Sequence, residues 1–155
     1  MKNMGLINSI NVSLGGVPKT PVNSVMINFQ KIQGDSQNFH FHGGPKRAVC
    51  LYSLELIDKL NLEGHQIFPG STGENLTLEG LDWNQMKAGL KLIVGNTILQ
   101  LTETAKPCKT IESSFLSGDF NRINESKFPG WSRWYASVIK EGFVQVGDSV
   151  SILIE

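Results

Sequence analysis

Residues Leu90-Lys91-Leu92-Ile93-Val94-Gly95-Asn96-Thr97-Ile98-Leu99-Gln100-Leu101-Thr102 are written as a β-hairpin. Two apolar-rich runs, 90–94 and 97–102, flank Gly95-Asn96, a pair that tolerates positive φ at each position and so suits a two-residue turn. The same grammar recurs on both sides. Leu6, Asn8, Ile10 and Val12 alternate before Gly15-Gly16, and Val25, Ile27 and Phe29 before Gly34-Asp35. Leu76-Thr77-Leu78 is a short strand before Gly80, and Trp134, Ala136 and Val138 alternate before a turn at Gly142. Val150, Ile152 and Ile154 alternate after the turn at Gly147-Asp148. One segment has helical character: Ser53 is an N-cap for residues 54–60, with Glu55 near the positive end, Lys59 near the negative end, and Leu56 and Leu60 on one apolar face. Residues 111–127 have weak periodicity, which predicts irregular structure or a short helix. Many short strands with one helix favour a barrel or closed sheet, mainly β, over a doubly wound fold.

At 155 residues the chain is a single domain with enough length to bury a core without staples. Lys plus Arg equals Asp plus Glu at 14 each and only 18% of residues are charged, so no global basic field exists to hold a nucleic acid duplex. Anion binding must come from a local cluster. No apolar run is long enough to span a bilayer and the first residues lack a signal-peptide core, which predicts a cytoplasmic location. The two cysteines, Cys50 and Cys108, are then free thiols by default, and they are too few for a four-cysteine metal site.

Chemistry is densest at Phe39-His40-Phe41-His42-Gly43-Gly44-Pro45-Lys46-Arg47-Ala48-Val49-Cys50. On an extended strand His40 and His42 leave the same face, but His65, the third histidine, lies far along the chain. A hydrogen bond from His42 to a ligand or the backbone is therefore favoured over metal ligation by the pair. Gly43-Gly44 followed by Lys46-Arg47 reads either as an anion cradle or as a turn with solvated cations; it matches neither the P-loop nor the dinucleotide fingerprint. Lys19, between Pro18 and Pro21, is expected to be a well-presented cation on a stiff segment. Cys50, in an apolar run, is expected in the core. Cys108, flanked by Lys106 and Lys109, has the cationic context that favours thiolate. A Cys/His nucleophile pair stays open as a hydrolase reading. Glu74 reads as a cap for neighbouring loop amides, favoured over a general acid or base, and Trp131, Trp134 and Tyr135 are expected to be turn and core residues.

Six blocks in order carry a resemblance: Gly15-Gly16-Val17-Pro18-Lys19; Gly34-Asp35; His42-Gly43-Gly44-Pro45-Lys46-Arg47-Ala48-Val49; Pro69-Gly70-Ser71-Thr72-Gly73-Glu74-Asn75-Leu76-Thr77; Pro107-Cys108; and Gly147-Asp148. Over nearly its whole length the chain resembles a short stand-alone member of the MOSC family, named for the C-terminal domain of molybdenum cofactor sulfurase. The resemblance implies a closed, strand-rich β-barrel that binds a molybdopterin-type molybdenum cofactor, with Cys108 as the metal ligand and catalytic residue. It implies phosphate contacts from Lys19, His42, Gly43, Gly44 and Arg47, and a cavity lined or braced by Gly73, Glu74 and Asn75. It also implies an oxidoreductase that reduces N-hydroxylated small molecules with electrons from an external donor, because the chain carries no ferredoxin extension or nicotinamide fingerprint. Other family members imply a sulfur carrier with a persulfide on Cys108, or a cofactor-delivery module, supplied by a sulfur donor. Pyridoxal phosphate is associated with the family through the fused sulfurase, and no residue pattern here points to it. Asn38 stands where the family often has an aspartate.

Overall fold

The computed structural model describes residues 3–13, 15–35 and 44–154. Among these, the strands are β1 (Met4–Val12), β2 (Thr20–Val22), β3 (Ser24–Ile27), β4 (Val49–Ser53), β5 (Leu76–Glu79), β6 (Lys91–Val94), β7 (Thr97–Thr104), β8 (Trp134–Lys140), β9 (Gly142–Gln145) and β10 (Ser149–Ile152). The helix α1 (Leu54–Leu62) lies between β4 and β5.

Seven strands close into a barrel in the order β1-β10-β6-β7-β8-β4-β5 and back to β1. Closure falls to β1, which pairs with β10 on one edge (Met4↔Ser151 to Leu6↔Ser149) and with β5 on the other (Leu6↔Glu79 to Ile10↔Leu76), the β5 pairing shifting register between Ile7 and Ser9. A bulge of this kind bends and twists a strand, as a closing strand requires. Beyond it, β1 continues outward to pair with β2. All barrel pairings are antiparallel except β4 with β5, where α1 supplies the crossover that a parallel pair needs. A separate ribbon, β3 with β9, flanks the barrel.

The expected hairpin is β6-β7, with Val94 opposite Thr97 across Gly95-Asn96. α1 is capped as expected: the Ser53 hydroxyl accepts from the Leu56 amide at 3.2 Å, Glu55 lies in the first turn and Lys59 in the last. Leu56, Ile57 and Leu60 are its buried face. Residues 111–127 hold short 3-10 turns, within Lys109–Ser114, Leu116–Gly118 and Phe120–Ile123. The core runs through Ile7, Ile10, Leu51, Leu76, Leu92 and Leu99, all without exposed surface.

Three local expectations differ. Phe29 lies outside β3 and is half exposed, because the Asn28 side chain accepts from the amides of Gln30 and Lys31 and turns the chain after Ile27. Ile154 falls beyond β10 and is exposed. Gly142 opens β9 rather than a turn; a Cβ there would lie 3.2 Å from the Asn96 carbonyl oxygen, so the glycine admits a close approach of the hairpin tip.

Candidate functional site

One wall of the site is a buried polar network organised on Asp35. Its carboxylate accepts from Lys19 Nζ at 2.7 and 2.8 Å, from Asn75 Nδ2 at 2.9 Å and from the Ser13 amide at 2.9 Å. Lys19 is therefore not the exposed cation expected from its prolines. It is 3% exposed, because only burial beside a carboxylate lets the ammonium leave water without an unmatched charge. Asn75 joins this wall to the barrel: its side-chain oxygen accepts from the Cys50 amide at 2.9 Å and its side-chain nitrogen also donates to the Asn11 carbonyl.

The Pro69-Gly70-Ser71-Thr72-Gly73 loop is held against this network. Gly70 has φ +90, and a Cβ there would come within 2.5 Å of the Lys19 carbonyl oxygen, which accepts no substitute for glycine. Its own carbonyl accepts from the Lys19 amide. Glu74 is fully buried and accepts from the hydroxyls of Thr72 and Thr77 at 2.8 and 3.1 Å. Burial pushes its carboxyl pKa up, with the hydroxyls and nearby backbone amides opposing. Glu74 thus braces the loop, and Gly73 and Asn75 line the cavity beside it.

The cavity brings together residues from distant stretches: Lys19, Arg47, Cys50, Cys108, Arg133 and Tyr135 all line it. An inner chamber of about 70 Å³ shares Arg47, Lys106, Cys108 and Tyr135 with a wider mouth of about 530 Å³. Cys108 follows the end of β7 and precedes the 3-10 turn Lys109–Ser114; its thiol is exposed and 2.9 Å from the Thr110 hydroxyl. Cys50 is buried as expected, but it also opens on the chamber. Val49 and Leu51 lie on one face of β4, and Cys50 lies on the other. Burial pushes its thiol up to about 11, against the pull of the Arg133 guanidinium. The two cysteines therefore share one cavity with different chemistry, one an accessible sulfur and one held as the thiol.

Arg47 ends the 3-10 turn Pro45–Arg47 that begins after Gly44. Its Nε lies 2.6 Å from Glu103 Oε1 and its guanidinium sits 5.1 Å from the Tyr135 ring centroid. Tyr135 is therefore a wall of the site, not only a core aromatic as expected. It follows Trp134, whose parity points to the core, and takes the alternate face. His40, His42 and Gly43 lie outside the described residues. Among the described residues, no three His, Cys, Asp or Glu side chains gather as a metal site, and no helix is long and apolar enough to cross a membrane.

Sequence reasoning missed Arg133. It is 7% exposed, it donates to the carbonyls of Thr72 and Ala105, and its buried Nε has no hydrogen-bond partner among the described residues. The signal was present: an arginine within Trp131-Ser132-Arg133-Trp134-Tyr135 shares strand parity with Tyr135, opposite the apolar face of Trp134, Ala136 and Val138.

A family model described as the MOSC domain matches residues 38–151. The chain is 28% identical over 141 residues to the uncharacterized protein YflK of Bacillus subtilis, covering 89% of this chain and 63% of that one. It is 27% identical over 118 residues to the protein YiiM of Escherichia coli, covering 73% and 52% respectively. The chain thus spans between half and two thirds of these relatives' length. The solved structure of YUAD from Bacillus subtilis superposes with a TM-score of 0.75 at 16% identity, covering 98% of this chain and 97% of that one, a likeness of fold.

Proposed function

Since the chain belongs to the MOSC domain family, we propose that its Cys108 cavity binds a molybdopterin-type cofactor and that the protein reduces N-hydroxylated compounds with electrons from an external donor. The observation that carries this reading is the composition of one cavity: an exposed thiol, a set of cations and, among the described lining residues of the inner chamber, no carboxylate. That donor set fits the group, since a thiolate suits a soft-leaning metal and cations with backbone amides suit a phosphate.

In this reading Cys108 ligates the metal, and the bound cofactor supplies the two-electron oxygen-abstracting chemistry. The remaining work falls to the chain. Arg47, fixed between Glu103 and Tyr135, presents its guanidinium at the mouth. Lys19, its ammonium bonded to both oxygens of Asp35, holds the wall of the chamber in place. Glu74 and Asn75 hold the loop that carries Gly73 to the chamber. Tyr135 walls off one side, and burial pushes its hydroxyl up to about 12, so it stays a neutral donor at physiological pH.

The test is metal analysis of protein made in a host that synthesises the cofactor. Molybdenum should copurify with the wild type and be lost in Cys108→Ser; content unchanged by the substitution removes the ligand assignment.

A second reading is favoured by the exposure of the Cys108 thiol, which a partner enzyme could reach directly. As a sulfur carrier, the protein would hold a persulfide there. Incubation with a cysteine desulfurase and free cysteine should then add 32 Da, roughly one sulfur atom, to the intact mass through Cys108. No added sulfur counts against this reading.

A further inference from the structure

His65 is buried, and its imidazole ties the segment after Cys108 to the end of α1. Its Nδ1 accepts from the Leu116 amide at 2.9 Å. An amide donates only to an unprotonated ring nitrogen, so the ring is neutral here with its proton on Nε2, 3.6 Å from Glu63 Oε1. The ring is held firmly. The His65 amide donates to the Leu60 carbonyl, the Gln66 amide donates to the Ser114 carbonyl, and Asn61 grips the Ile67 backbone through two bonds of 2.8 Å. Phe115 packs on the imidazole edge to face, with centroids 5.3 Å apart.

The turn Leu116–Gly118 depends on that bond. Two others, from the Gly118 amide to the Phe115 carbonyl and from the Asp119 amide to the Leu116 carbonyl, only close the turn on itself. The Leu116 side chain is 54% exposed and lies over Gly64, where a Cβ would meet it at 3.4 Å. Ser117 has φ 54, the one positive value at a non-glycine residue among the described residues, and such a conformation persists only where its surroundings impose it. The same segment walls the chamber. It leaves Cys108 through Thr110 and Ile111, both in the lining with Cys50.

Protonation reverses the contact. A proton on Nδ1 sets two donors face to face, so the bond to Leu116 is lost while the imidazolium gains the attraction of Glu63. Arg122 donates to Glu63 through Nε and Nη2 at 2.9 Å each, which lowers the pKa of that carboxyl and keeps it charged. Arg122 itself, stacked on the Phe128 and Trp131 rings, is the cation that opposes the imidazolium. Of the other charges on the packed elements, Asp58 and Lys59 on α1 and Lys109 and Asp119 on the segment are exposed, and Glu112 lies beside Gly118.

We propose that His65 is a proton-operated latch on the wall of the Cys108 chamber: neutral, it fastens the Leu116–Gly118 turn, and protonated, it releases the turn and lets the wall at Thr110 and Ile111 relax. Acid then opens the inner chamber toward Cys50. The latch concerns the wall alone and stands whatever the cavity holds.

The first test needs no variant. Amide exchange of the wild-type protein, expressed as protection factors, is followed by NMR from about pH 7.5 to about pH 5.5, the interval in which an imidazole changes charge. Protection of the Leu116 amide should fall about tenfold while that of the Leu56 amide in α1 stays constant. An unchanged Leu116 amide, or an equal fall at Leu56, overturns the proposal. His65→Asn places an uncharged acceptor near the site of Nδ1 and should make Leu116 protection independent of pH; a fall like that of the wild type overturns the latch. The wall is read through Cys50, the one thiol left in Cys108→Ser, with a dipyridyl disulfide that reacts with thiols in acid. At about pH 5.5 Cys50 should react about fivefold faster in Cys108→Ser than in the same variant carrying His65→Asn, and at about pH 7.5 the two rates should agree. Equal rates at both values overturn the opening of the chamber.

Discussion

Glu74 shows how much a single side chain can record about its surroundings. Burial raises its folded pKa above the unfolded value, so folding shifts the carboxyl toward its protonated form. The sign follows: its stabilising contribution is complete below the unfolded glutamate pKa of about 4.3 and is lost as pH rises through the higher folded value. Glu74→Gln keeps an acceptor for one of the Thr72 and Thr77 hydroxyls, turns an amide NH2 donor to the other, and cannot ionise. Urea unfolding across this interval should show wild-type stability falling with pH relative to the variant, and parallel curves would refute the assignment. The residue scale is also where the sequence was least transparent. Lys19 and Asp35 are 16 apart in sequence, Asp35 and Asn75 are 40 apart, and the Arg133 bond to Thr72 spans 61. No local period encodes such contacts. Hence Lys19 was expected in solvent, and Arg133 passed as part of an aromatic strand.

Elements whose causes are local were legible. The hairpin needed only Gly95-Asn96 between two apolar runs, and α1 needed only Ser53, Glu55 and an apolar stripe. Ser53 is 2% exposed and its hydroxyl serves the Leu56 amide, so Ser53→Ala should cost about 1 kcal/mol, with a melting temperature lower by about 2–4 °C. A calorimetric scan checks it. The expected blocks around the site were also legible as loops, since glycine and proline punctuate them. What those loops face was not, because the cavity is assembled from β4, the end of β7, the start of β8 and the loop before β5. The parity of β8 was read from its apolar face alone, which hid Tyr135 on the other.

For the whole molecule, the closed sheet was foreseeable from strand count and the MOSC resemblance, while its seam was not. The seam lies at β1, which pairs with β10 over Met4–Leu6 on one edge and with β5 from Leu6 on the other. Gly5 sits in this seam, where a Cβ would fall 2.0 Å from the Glu79 carbonyl oxygen. Gly5→Ala must therefore push β1 away from β5, and the loss should reach about 3 kcal/mol or more, among the larger effects of a point substitution. Equilibrium unfolding measures it, and a wild-type midpoint would show that the seam yields freely. The same seam sets the two ends of the sheet side by side: Met4 stands opposite Ser151, and the Asn3 carbonyl accepts from the Ile152 amide at 2.9 Å. Joined by a short linker, those ends could be made continuous and the chain reopened at Gly95-Asn96. Such a circular permutant would keep the remaining ladders of the barrel and leave the cavity on uncut backbone.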